Sequence, residues 1–543
     1  MKNPLRTTLL AAALLAGSGC QKDFLTEVPQ DFVAPEIFYR NAADAITAVN
    51  AVYSTFINLQ SPFNSQDYMG RNLWMVLEYP TEVATSRLSA TNERSLFGTY
   101  HPQLVSSHAY LEGIYQAAYG GINRANSVID RVPNVTMNET RKAQIIAEAK
   151  FLRALHYYYL AGLFGGVPLK VNETQSIGSD NVARASAADT WKQIEQDLID
   201  AAAALPASWP STDYGRVTKG AALTLLGKAY MQSVSQTGDA SAWQKGLDAL
   251  KQVQTLGYSL DPNYASLFDG TNEKSPEIIF SFQNVPVGGA GGTITQWFVP
   301  NPAEPIYSGG NQQNQFQAER PFYDSYNATD IRKAGTWLVS YNKKDGRTVT
   351  WSWATTNVGT TGKPISDPVN YGSTGPVPRK YYDLNSSGSG AEAPDVVVLR
   401  YADVLLSAAE AINEISGPTP EAYANVNLVR ARAKVPNLTA GLSQAAFRDS
   451  VFAERRFELA MEMHDLFDTR RNWPWGKARI EASMAQIATL NRTPFTSSVE
   501  KFNAAPIADK FKLYPIPAHA CSLNPLLTQN PGWDDGICKP AGS

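Results

Sequence analysis

Apolar side chains return at three- and four-residue intervals along long stretches of this chain, and that period dictates helices that must pack on one another. In 41–59, Ala43, Ile46, Val49, Val52, Tyr53 and Phe56 fall on one stripe. The same period predicts helices over 109–132, 138–163, 187–205, 218–231 and 241–256, and again over 397–415, 420–433 and 444–466. After residue 257 the composition turns to Gly, Pro, Asn and aromatics, and stretches such as GGAGGT (288–293) and YSGGNQQNQF (307–316) cannot sustain a helix. The run WLVSYNKKDGRTVTWSW (337–353) reads as a β-hairpin, because Asp345-Gly346 supplies the backbone of a tight turn; Trp351 and Trp353 would then share a face. The expected fold is mainly α, a scaffold of helix pairs with a loop-rich region containing short β-hairpins.

Helix pairs of this kind cannot bury their faces alone and must stack. Leu226-Gly227-Lys228-Ala229-Tyr230 resembles the Leu-Gly-x-x-Tyr of a tetratricopeptide repeat, with Leu223 where that pattern has Trp. Unequal loops break the repeat's period of about 34 residues, so the pairs are degenerate and TPR-like, not a regular solenoid. The expected organisation is a leader at 1–19, a helical region at 20–257 and a second region at 258–543. The latter holds a loop-rich insert (285–395) and helices (397–490), and the whole forms one unit.

The leader follows from Lys2 and Arg6, the apolar run from Thr7 to Ala16, and small Gly17, Ser18 and Gly19 before Cys20. An apolar run of about ten residues is half of what crosses a bilayer. The small residues ending in Cys20 resemble a bacterial lipobox, which implies acylation of Cys20 and a membrane hold through lipid alone. Gln21, Lys22 and Asp23 resemble the short charged element that directs Bacteroidetes lipoproteins to the outer face of the cell. In an oxidising compartment Cys521 and Cys538 are permitted to form a disulfide, although two free thiols would give the same sequence.

Several functions are disfavoured. With 47 basic against 50 acidic side chains and a formal charge of -3, no basic field exists for nucleic acid. Five histidines show no HExxH or other ligand spacing, so no cofactor is expected, and calcium stays open but without support, since no DxDxDG loop occurs. GxSxG, Walker and Rossmann fingerprints are missing too. Glu458 with Glu462 and Asp465 with Asp468 are paired carboxylates, yet their alternation with Arg455 and Arg456 reads as helix support, not chemistry.

Six stretches in order resemble the SusD/RagB family of surface nutrient-binding lipoproteins. They are Cys20-Gln21-Lys22-Asp23-Phe24-Leu25 with Pro29 and Phe38, then EAKFLRALHYYYLAGLFGGVPL (148–169), GRVTKGAALTLLGKAYM (215–231), LRYADVLLSAAEAINE (399–414), ERRFELAMEMHDLFDTRR (454–471) and YPIPAHACSLNPLLTQNPGW (514–533). His464-Asp465 departs from the family's more frequent Gly-His or Gly-Arg. The resemblance implies a non-catalytic, outer-membrane lipoprotein that captures oligosaccharide and passes it to a SusC-type TonB-dependent transporter.

A sugar presents C–H faces and a rim of hydroxyls, so its site needs rings flanked by amides, carboxylates or guanidinium groups on positioned loops. Trp297 and Tyr307 lie in such a segment with Gln296, Asn301, Asn311 and Gln312. Arg87, Asn92 and Tyr100 come from the loops between the first two helices, and Trp351 and Trp353 from the hairpin. Helical Trp243 reads as packing. Oligopeptide capture is the alternative, drawing on Arg71, Arg87 and Arg94; a surface glycoside hydrolase and a plain scaffold for protein partners stand further off.

Overall fold

A computed structural model describes residues 38–57, 68–86, 92–174, 176, 181–287, 291–299, 313–342, 348–350, 376–383, 386, 390–489 and 506–540. Cys20, Arg87, Tyr307, Trp351 and Trp353 lie outside the described residues. The helices in the first half are α1 (Ala42–Ile57), α2 (Asn72–Glu78), α3 (Ala109–Arg131), α4 (Glu139–Phe164), α5 (Ala187–Ala204), α6 (Lys219–Thr237) and α7 (Ala242–Gln254). In the loop-rich part come α8 (Thr295–Phe298), α9 (Arg320–Asp324) and α10 (Ile331–Thr336). After it follow α11 (Tyr401–Ser416), α12 (Pro420–Arg432), α13 (Gln444–Leu459), α14 (Asp465–Arg471), α15 (Trp473–Thr489) and α16 (Ala518–Leu523). The architecture is mainly α, as the period requires.

Caps set many of these ends. Asn138, Ser186, Thr218 and Ser443 each accept a backbone N–H three residues on through the side chain, so orphan donors of the first turn are satisfied. Gly238, at φ 73°, stops α6 in the left-handed conformation. Successive helices pack as neighbours from α3 through α7, and α7 lies against α11, which in turn packs on α12 and α13. Gly227 makes one of these approaches: a Cβ there would lie 2.7 Å from Leu250 of α7. The tetratricopeptide-like glycine therefore serves close helix contact. One apolar cluster takes in side chains from Val49 of α1 to Cys538.

Among the described residues eight short strands pair two by two: β1 (Ala84–Ser86) with β3 (Phe316–Ala318), β2 (Ile278–Phe282) with β8 (Val396–Arg400), β4 (Trp337–Leu338) with β7 (Val377–Pro378), and β5 (Ser340–Asn342) with β6 (Thr348–Thr350). All the ladders are antiparallel. Within the expected hairpin Tyr341 lies opposite Val349, while Trp337 pairs instead with Pro378.

Two helix expectations need correction. Val396–Arg400 is a strand, not the start of a helix, because an unbroken Val-Val-Val-Leu run suits a ladder buried on both faces. The predicted helix over 444–466 breaks after Leu459, and Met461 and Met463 take positive φ of 61° and 65°. The break frees backbone groups that partners claim: Lys380 donates to the Ala460 carbonyl at 2.7 Å, and Met463 N–H donates to Glu78 at 2.6 Å.

Candidate functional site

Trp297 sits in α8, a single turn held from several sides. The Glu392 carboxylate accepts the N–H groups of Thr295 (2.8 Å) and Gln296 (3.1 Å), and the Thr295 hydroxyl donates to the Tyr381 carbonyl at 2.6 Å. Gln313 and Gln315 N–H groups close onto the carbonyls of Gln296 and Trp297, both at 2.7 Å. Phe298 turns inward, edge-on to Trp74 and Phe316. Its neighbour Trp297 meets two guanidinium groups: Arg71 lies 5.3 Å and Arg94 5.6 Å from the indole centroid.

The cluster extends to Tyr110 at the start of α3. Arg71 lies 4.8 Å over its ring, Arg94 Nε donates to its hydroxyl at 2.9 Å, and that hydroxyl reaches Glu93 at 3.4 Å. Each guanidinium–ring contact contributes about 0.5–2 kcal/mol, more as water is excluded. Trp297 is 5% exposed, and its Nε1 is buried with no acceptor among the described residues. Buried in this way, Trp297 as placed is a loop anchor that positions its neighbours, and the groups left to bond a ligand's rim are the half-buried Arg71 and Arg94 and the exposed Glu93.

Asn92 is half-buried, and its side chain accepts the Arg94 N–H at 3.1 Å, so it shapes the turn that carries Arg94. Tyr100 is placed elsewhere: its ring is 6% exposed, packs edge-on to Phe511, and its hydroxyl donates to the Pro80 carbonyl. As placed, Tyr100 belongs to the core and offers no face to a ligand, because the loop folds back beneath α2. Tyr110 was not among the sequence candidates, since it lies on a periodic helix, while Arg71 and Arg94, the residues of the peptide alternative, converge on the leading glycan candidate.

The paired carboxylates are structural. Arg400, 1% exposed, donates to Glu462 at 2.7 and 2.8 Å, to Glu277 at 2.8 Å and to Glu458. Arg432 and Arg332 also reach Glu458, and Lys380 pairs with Glu462. Burial alone would push the Glu458 carboxyl up, but Arg432, Arg400 and Arg332 hold it well below the ordinary carboxylate range. Burial brings the Lys380 ammonium down to about 8 against the pull of Glu462. His464 is held down to about 3 by burial, with Lys228 next in weight. Asp465 is the exception, raised to about 7 by burial. Glu458 and Glu462, locked on cations in this way, do not face a substrate.

Cys521 and Cys538 are joined by a disulfide. Among the described residues no cluster of three or more His, Cys, Asp or Glu side chains could hold a metal ion, and no helix is long and apolar enough to cross a membrane.

The fold is a helical scaffold that carries a ring-and-guanidinium cluster among its loops. A family model described as the SusD family matches residues 227–533, and a second, described as starch-binding associating with outer membrane, matches residues 49–231. The protein belongs to the SusD family. A SusD-like protein of Formosa agariphila is 25% identical over 552 residues, covering 95% of this chain and 96% of that one. A solved SusD homolog from Bacteroides thetaiotaomicron superposes with a TM-score of 0.78 at 24% identity, covering 92% of this chain and 98% of that one. A solved laminarin binding SusD-like protein gives a TM-score of 0.68 at 22% identity, covering 91% of this chain and all of that one, 100%.

Proposed function

We propose that this protein is a non-catalytic glycan-binding lipoprotein, acylated at Cys20 and displayed on the outer membrane, which captures oligosaccharide and hands it to a SusC-type TonB-dependent transporter. The observation that carries the reading is the pair of half-buried guanidinium groups, Arg71 and Arg94, held on the buried Trp297 within a SusD-family scaffold. Names among the relatives agree in kind: one solved relative binds laminarin, and the model for 49–231 is described as starch-binding. In this reading Trp297 positions Arg71 and Arg94, which with Arg87 and Asn92 bond the hydroxyls, while Tyr307, Trp351 and Trp353 stack on sugar faces. Few such contacts give millimolar to micromolar affinity, about -4 to -8 kcal/mol. Tethering beside a transporter makes that adequate, because local concentration replaces tight binding.

Two guanidinium groups at one ring also suit a ligand carboxylate, which favours oligopeptide as the second reading. The test is affinity electrophoresis of the full chain in detergent through gels holding laminarin, starch or other polysaccharides. Retardation by one of them, lost in Trp297→Ala, is expected. No retardation by any polysaccharide, with retention on immobilised peptides, overturns the glycan reading; release of new reducing ends overturns the non-catalytic one.

A further inference from the structure

We propose a second sugar-binding site, for one neutral pyranose ring, in the recess between Trp243 of α7 and Trp475 of α15. The recess has a volume of about 220 Å³, below the about 300–1,000 Å³ of pockets for drug-sized ligands, which leaves room for a single ring and not a chain. Its ligand class, though not its location, rests on the glycan reading above.

The two indoles differ in a telling way. Trp475 is fixed: its Nε1 donates to Asp449 at 2.8 Å, its ring stands edge-on to Phe452 at 4.5 Å, and Arg479 lies 5.1 Å over it. Trp243 is half-buried and, among the described residues, has neither a ring partner nor an acceptor for its Nε1. It packs against the apolar core and also lines the recess.

The polar wall fits a polyol. Glu410 and Glu414, one turn apart on α11, each take a two-pronged pair: Arg471 on Glu410 at 2.7 and 2.7 Å, Arg448 on Glu414 at 2.6 and 2.6 Å. Carboxylates bonded in this way keep lone pairs for hydroxyl donors. Asn472, exposed at the rim, adds an amide with no side-chain partner among the described residues. Because Arg448 and Arg471 are already matched, a charged ligand would have to break a pair, whereas a neutral sugar adds bonds to groups already in place.

The test uses the full chain in detergent with a panel of neutral methyl hexopyranosides, followed by saturation-transfer NMR and tryptophan fluorescence. Wild type and Trp297→Ala should both give a saturable signal with one glycoside; Trp243→Ala should weaken it by about tenfold. Asn472→Ala, a surface change that leaves packing alone, should weaken it by a smaller factor. Equal binding by Trp243→Ala and wild type, or no saturable signal from any glycoside, overturns the site. Should polysaccharide retardation persist and vanish only in Trp297→Ala, the glycan reading stands and this site alone falls. Should Trp243→Ala not fold by circular dichroism, unchanged binding by Asn472→Ala overturns the site and weakened binding supports it.

Discussion

Replacing Arg400 by Met tests whether the buried charges form one interdependent unit. Around it Arg332, Lys380, Arg430 and Arg432 face Glu277, Asp330, Glu454, Glu458 and Glu462, so the wild-type cluster balances. Met keeps most of the volume but removes every hydrogen bond from the guanidinium and leaves one negative charge in excess among groups sealed from water. Taking one partner from a buried pair costs about 3–5 kcal/mol. Unfolding entropy near 2.1 cal/mol/K per residue gives about 1 kcal/mol/K for a chain of roughly 500 residues, so calorimetry should show Tm lower by about 3–5 °C. Adding Glu462→Gln removes the excess charge and should restore about 1 kcal/mol or more of that loss. A fall in Tm below about 1 °C, or a double variant as unstable as the two single losses added, refutes the reasoning.

Acid should attack the same cluster and its neighbour. Burial opposes ionisation of Glu458, Glu462, Asp403 and Asp468, but their cationic partners bring all four below their ordinary values. A depressed folded-state value gives stability that is present above the unfolded carboxylate range, near 4, and lost as pH falls through the folded values; calorimetry from about pH 5 to about pH 2.5 should show Tm dropping throughout, and a flat profile contradicts it. Gly227→Leu should destabilise by about 1–3 kcal/mol through overpacking against Leu250, read as a lower urea midpoint; an unchanged midpoint means α6 and α7 have slack. The Cys521–Cys538 bridge closes a separation of 17 residues. Loss of the bridge by Cys521→Ser with Cys538→Ser should cost about 3 kcal/mol and speed proteolysis within 521–538; equal cleavage rates would show that the bridge constrains nothing.

Long amphipathic segments carried most of the fold in plain view, since α3, α4 and α5 end within a residue of their predicted bounds. Periodicity failed where it has no power. Val396–Leu399 is apolar throughout, so helix and strand look alike, and only pairing with Ile278–Phe282 decides. The break at 460–463 comes from distant partners, Lys380 and Glu78, which no local pattern reveals. The site was legible in its residue types but not in its assembly: Arg71, Arg94, Tyr110 and Trp297 meet across more than two hundred positions without a common spacing. Trp243, which the sequence assigns to packing, does pack against the core, while the recess it also lines shows in no local pattern.

Residues 514–533 thread back to the first half of the chain. Tyr514 N–H donates to the Leu163 carbonyl at 2.8 Å, Asn530 donates to Phe164 at 2.9 Å, and Arg184 reaches the Thr528 carbonyl 344 positions away. The close of α4 and the guanidinium of Arg184 therefore stay unfinished until a stretch made hundreds of residues later arrives. This part of the fold therefore cannot be completed before residues 514–533 have been synthesised.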